Sequence, residues 1–182
     1  MAVLGFMQKR IVLQVLPDNE VWEIEIPSHQ DRKKLMLEHY LSKKLDSFAC
    51  TSAVIVKDNA LLLGLRHYTP DKWKNISVWT TPGGRCDEGE TLEETLRRET
   101  QEEVGINDLT IVHFIGETPG AKEGDTVYMF FCSTLQDPVL MEPEKFSEWR
   151  WVPMGQYFEE AIWKEMNPPA HNLIVNYLKN LQ

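Results

Sequence analysis

Hydrophobic and polar residues change their period several times along this chain, and each change predicts an element. Residues 10–16 and 21–26 read as strands, the second with Trp22, Ile24 and Ile26 alternating with Glu23 and Glu25. Pro17, Asp18 and Asn19 between them have turn chemistry, so a hairpin with one buried face is expected. Ser28 with Asp31 three residues on marks a helix start, and Leu37, Leu41, Leu45 and Phe48 continue at helical spacing. Two Val-, Ile- and Leu-rich runs, 51–56 and 60–66, flank Lys57, Asp58 and Asn59 and predict adjacent strands. Further strands are expected over 109–115 and 126–134, separated by a Gly- and Pro-containing loop at 117–125, and a short one around the alternating Trp149 and Trp151. The tail predicts helices over 154–166 and 169–181, the second with Leu173, Ile174, Tyr177, Leu178 and Leu181 inward.

One stretch departs from this ordinary patterning. Between 87 and 103 there are eight acidic and two basic side chains. Residues 84–89 are loop by composition, Thr91 and Glu94 form a capping-box pair, and Gly105 supplies a stop, which predicts a helix over 92–104. Its inward stripe is Leu92, Leu96, Glu99 and Glu103, so a face that begins apolar ends in carboxylates, with Glu102 beside them. Carboxylates crowded on a core-facing stripe repel one another and lose hydration, and a hard divalent cation, which prefers oxygen ligands, would compensate them. Arg98 can pair with Glu90 or Glu102 and hold the cluster in place. Charge alone fits a solvated helix with exposed Glu–Arg pairs equally well.

Spacing separates these readings. Gly84, Glu90, Arg98, Glu99, Glu102, Glu103 and Gly105, followed by apolar Ile106, stand at intervals that resemble the signature of the Nudix hydrolases. With each of the seven fixed residues at roughly one in fifteen, a chance match somewhere in the chain is on the order of one in a million. Thr100 departs from the aliphatic residue usual in that family, so local packing is expected to suffer slightly while the metal site survives. The resemblance is close over 84–106 and looser over 49–153.

The resemblance implies an α/β/α sandwich with a mixed sheet over 49–182, with 1–48 as a strand-pair-and-helix extension. It implies Mg²⁺ or Mn²⁺ held by Glu99, Glu102 and Glu103, with the Gly84 carbonyl as a further ligand, and Glu90 paired with Arg98 to brace loop against helix. The proton acceptor would be Glu103, if one carboxylate is free of the metal, or Glu144 or Glu148 from the acidic loop and strand at 141–153. Arg66 falls at a strand end from which family members reach phosphate, or is simply solvated there. Trp73 either stacks on a base or covers the core. Gly83 and Arg85, flanking the first box glycine, complete the expected substrate-binding set; the consecutive Gly83 and Gly84 let backbone approach a ligand closely.

Composition narrows the partners. At 182 residues and 42% hydrophobic content the chain supports one domain with a sizeable core. Residues 1–48 carry seven acidic and seven basic side chains, so the net charge of −9 lies wholly in the part with the acidic helix. That argues against nucleic-acid backbone as a partner and for an anionic small molecule recruited through a metal and a few local cations. Cys50, Cys86 and Cys132 fit no disulfide framework or zinc spacing, and no secretory leader or membrane-length apolar run is visible, so reduced thiols in a cytoplasm are expected. The apolar faces of 1–48 must be buried against the domain or a second subunit, and a homodimer is the favoured expectation.

The activity so implied is divalent-metal-dependent hydrolysis of a diphosphate bond in a nucleotide. The Pro-Gly-Gly approach and the Glu148-Trp149-x-Trp151-Val152 strand are similar to MutT-like enzymes that cut nucleoside triphosphates to monophosphate and pyrophosphate. The N-terminal strand pair is similar to that of dimeric ADP-ribose and nucleotide-sugar pyrophosphatases. A nucleotide sensor without turnover would be marked by lost box carboxylates, and all four are present.

Overall fold

A computed structural model describes residues 10–15, 20–25, 28–67, 78–159 and 166–181. Strands β1 (Arg10–Val15) and β2 (Glu20–Glu25) pair antiparallel as the predicted hairpin, and α1 (His29–Leu41) follows. Ser28 caps α1: its hydroxyl accepts from the Asp31 N–H while the Asp31 carboxylate accepts from the Ser28 N–H. The helix ends at Leu41, earlier than the spacing of Leu45 and Phe48 predicts. Leu45 packs against the core from the linker and Phe48 is exposed, so the apparent helical stripe continues through irregular backbone.

The main sheet contains β3 (Ala49–Lys57), β4 (Ala60–Arg66), β5 (Val78–Thr80), β6 (Thr110–Pro119), β7 (Thr126–Ser133) and β8 (Phe146–Pro153). β3 turns into β4 through Asp58 and Asn59, whose φ of 49° and 60° is the left-handed pair that a two-residue hairpin turn requires. β3 runs parallel to β7 from Ala49↔Thr126 to Val56↔Ser133, and β7 pairs antiparallel with β6. β4 is the branch point. It pairs with β8 on one edge and shares the other between the end of β3 and the short β5.

Alternation along the central strands sends side chains to two cores. Ala53, Ile55 and Leu62 join Phe130, Leu92 and Leu96 under α2 (Leu92–Val104). Val54, Leu61 and Leu63 join Met129, Tyr157, Ile174 and Leu178 under α3 (Met154–Tyr157) and α4 (Pro168–Lys179). Helices on both faces of a mixed sheet make the α/β/α sandwich that was expected. The strand expected over 109–115 runs on to Pro119, shortening the loop. The helix expected over 154–166 is α3, which ends at Tyr157; residues 160–165 lie outside the described ones. Among the described residues no helix is long and apolar enough to cross a membrane.

Candidate active site

The acidic helix is fixed at both ends by its own sequence. Thr91 and Glu94 close a capping box, and Gly105 takes the left-handed conformation, φ 69°, that ends the helix. Leu92, Leu96 and Val104 anchor it to the core. Thr100 is fully buried in an aliphatic position, yet its hydroxyl donates to the Leu96 carbonyl at 2.7 Å, so the polar group is satisfied.

Anchoring the helix carries Glu103 inward. Its residue is 3% exposed, and its carboxylate accepts the Gly83 N–H at 2.9 Å. Burial pushes Glu103 up to about 8, against the hydrogen bond from Gly83. Glu99 is also raised by burial, despite its pairing with Arg98. The two glycines make this possible. A Cβ at Gly83 would run into the Thr51 carbonyl and lie 2.8 Å from the Ser52 Cα, and one at Gly84 would overlap the Glu99 carboxylate. At Gly83 the obstacle is the backbone of β3, so no side chain fits there, whereas at Gly84 a side chain would have to displace the Glu99 carboxylate.

Arg98 is the hub of the exposed side. Its guanidinium donates to both Glu90 oxygens at 2.8 and 2.9 Å, to Glu99 at 2.7 Å, to Glu102 at 3.2 Å and to the Arg85 carbonyl at 3.0 Å. The fork on Glu90 pulls that carboxyl down to about 2. Loop and helix are therefore clamped together.

Among the described residues no three acidic, His or Cys side chains converge on one point as they lie, because Glu99 and Glu102 are both turned onto Arg98. The donor set nevertheless suits a hard divalent cation: it is all oxygen, and it includes a buried carboxylate, Glu103, whose nearest strong influences include the like charge of Glu99. The Gly84 carbonyl accepts the Thr51 N–H at 2.8 Å.

Beside this cluster a cavity of about 670 Å³ opens between the sheet and the start of α4. Arg66, Gly83, Gly84 and Arg85 all line it, so four of the expected site residues share one space. Lys122, Asp125 and Asn167 line it too and were not foreseen; they come from a turn and a helix start with no sequence signal of their own. Trp73 lies outside the described residues. Trp79 is buried at the cavity wall with the Arg150 guanidinium 4.3 Å above its ring.

The acidic turn and the start of β8 carry three glutamates in different settings. Glu144 and Glu148 are exposed, and Glu148 sits in β8 opposite Leu65. Glu142 is the carboxylate of this segment that acts electrostatically on Glu103. One of its oxygens accepts Lys145 Nζ at 2.6 Å; the other is buried without a partner. The signal was the Glu142–Pro143 start of a turn whose Lys145 comes three residues later. The three cysteines are free thiols, and burial raises Cys50 to about 11 and Cys132 further.

A NUDIX domain family model matches residues 48–173. A protein of Bacillus subtilis (strain 168), provisionally named an 8-oxo-dGTP diphosphatase, is 33% identical over 85 residues, which span 47% of this chain and 56% of that protein. Among solved structures, a MutT protein from Methanosarcina mazei Go1 superposes with a TM-score of 0.58 at 19% identity, over 74% of this chain and 94% of that one. A C. elegans Ap4A hydrolase superposes with a TM-score of 0.58 at 23% identity, over 72% and 97%.

Proposed function

Because the chain belongs to the NUDIX domain family, we propose that it is a hydrolase of the diphosphate bond in nucleotides, with nucleoside triphosphates, cut to monophosphate and pyrophosphate, as its preferred class. The observation that carries this reading is the buried Glu103, held by the Gly83 N–H at the edge of a cavity that also carries Arg66, Arg85 and Lys122. The likeness to the B. subtilis protein supports the triphosphate class.

Enzymes of this family use divalent cations. Glu99, Glu102 and Glu103 would hold one here, with the second lone pair of the Gly84 carbonyl available beside them. When bound, such a cation neutralises phosphate oxygens and acidifies a water. The chain's own residues supply the rest. Arg66 and Lys122 attract the phosphates into an otherwise acidic molecule. The Arg98–Glu90 fork holds loop and helix in register, so that Arg98 acts by positioning carboxylates rather than by touching substrate. Glu142, whose charge acts on Glu103 and which has one oxygen tied to Lys145 and the other unpartnered, is the carboxylate to which this reading gives the proton of an attacking water. Glu142→Gln is expected to lower kcat by about a hundredfold with KM little changed, in a steady-state assay. Equal losses on Glu144→Gln or Glu148→Gln would return the role to those residues.

The reading is tested by a phosphate-release screen coupled to pyrophosphatase and to phosphatase, with Mg²⁺ and with Mn²⁺. Pyrophosphate from triphosphates, 8-oxo-dGTP among them, is the expected result. Phosphatase-dependent release from ADP-ribose or nucleotide sugars alone would replace the triphosphate class with sugar-linked diphosphates, and silence across the panel would leave a nucleotide sensor.

A further inference from the structure

Arg85 stands next to the first box glycine, but its guanidinium does not lie free in the cavity. One terminal nitrogen donates to the Ser47 carbonyl and the other to the Asp125 carboxylate at 2.6 Å. Asp125 is almost fully covered, with a side chain 6% exposed, and among the described residues the Arg85 guanidinium is its ionic partner. From the other side, the Arg85 main-chain carbonyl accepts Arg98 Nη2 at 3.0 Å. A single run of contacts thus leads from the Glu90–Arg98 fork through both ends of Arg85 to Asp125.

Asp125 in turn closes the turn between β6 and β7 on itself. Its carbonyl accepts the Gly120 N–H at 2.8 Å and its own N–H donates to the Lys122 carbonyl at 3.2 Å. A Cβ at Gly120 would lie 2.5 Å from that of Asp125, so the turn is packed as tightly as a glycine allows. Gly120, Ala121 and Lys122 of this turn form one wall of the cavity. That wall is connected to the acidic helix through an ion pair whose Asp125 end is buried while its Arg85 end is 36% exposed, and through the Arg85 carbonyl that Arg98 holds.

We infer that Asp125 and Arg85 are a positioning pair that sets the distance between the β6–β7 wall, with its Lys122, and the acidic helix, and thereby fixes how tightly the nucleotide is held. The inference rests on the function proposed above. Neither residue needs to touch the reacting phosphate. Arg85 has its charge matched by Asp125, which makes it a poor free phosphate ligand and a good strut.

The test is a double-mutant cycle on the nucleotide that the wild type turns over. Asp125→Asn and Arg85→Gln are each expected to raise KM about tenfold while kcat stays within about twofold, because removing one partner of a charged hydrogen bond leaves the other uncompensated. The double variant should be no worse than either single one, since both remove the same contact. Glu123→Gln, in the same turn but exposed, should change neither constant. Thermal melting of each variant keeps folding losses apart from KM effects. An active wild type whose single variants raise KM additively, or alter only kcat or only Tm, would overturn the pairing and leave the proposed activity standing. A KM that falls on Asp125→Asn would show instead that Asp125 masks Arg85 from phosphate. A wild type silent on every nucleotide would sink the activity and the pair's role with it.

Discussion

Glu103→Gln is expected to lower turnover on the order of a thousandfold while leaving the melting temperature unchanged or higher. The residue is 3% exposed, and its carboxylate accepts the Gly83 N–H. A glutamine carbonyl can accept the same hydrogen bond in the same volume, so the loop keeps its place. What disappears is the negative charge, which burial disfavours strongly enough to push Glu103 to about 8. The wild-type protein therefore keeps a group that is unfavourable for folding at neutral pH, as expected where a carboxylate is held ready for a cation or a proton. Steady-state kinetics together with thermal melts check both halves. Near-normal turnover in Glu103→Gln and also in Glu102→Gln would remove the metal-site assignment; loss of the folded state would show that Glu103 is structural.

Much of this site is visible in the residues themselves, because it is built from local rules. Thr91, Glu94 and Gly105 set the helix ends, and three-residue and four-residue steps then place Leu92, Leu96 and Glu103 on one face. The same applies to the Asp58–Asn59 hairpin and to the Ser28 cap. Contacts between distant segments are what periodicity does not carry. Asp125 lies forty residues from Arg85, and nothing in a loop of mixed Gly, Lys and acidic residues singles it out. Glu142 looks like its neighbours Glu144 and Glu148; only the turn that ties it to Lys145 distinguishes it. Leu45 and Phe48 show the opposite error, an apolar spacing that suits a helix in a segment whose backbone is irregular. The consequence of Thr100 also needed the structure, since its hydroxyl is harmless only because the Leu96 carbonyl accepts it.

Stability in a chelator should fall as pH rises from about 5 to about 8.5, and adding a divalent cation should reverse the fall most strongly at the alkaline end. Burial raises Glu103 from the ordinary 4.5 to about 8, so between those values the native chain holds a proton that the unfolded chain has lost. Unfolding then releases that proton, which makes the native state progressively less favourable as pH climbs through the window; the full effect is on the order of 4 kcal/mol. Glu90 works in the opposite sense at the acid end. Arg98 keeps it ionised down to about 2, so its contribution is present above the ordinary carboxyl range and is lost as pH falls toward 2. His113 and His171, both lowered by burial, favour the native state as pH rises toward the ordinary imidazole value of 6.5, and so oppose the Glu103 trend below it. The difference between wild type and Glu103→Gln is therefore the quantity to measure, by melts in a chelator at half-unit steps of pH. It should widen from near zero at pH 5 as the wild type loses stability relative to the variant. A cation needs deprotonated ligands, so its stabilisation of the wild type should grow over the same interval and be much reduced in the variant. A difference that stays flat from pH 5 to 8.5 would mean that Glu103 is hydrated in solution, and the buried carboxylate would no longer support a metal-dependent site.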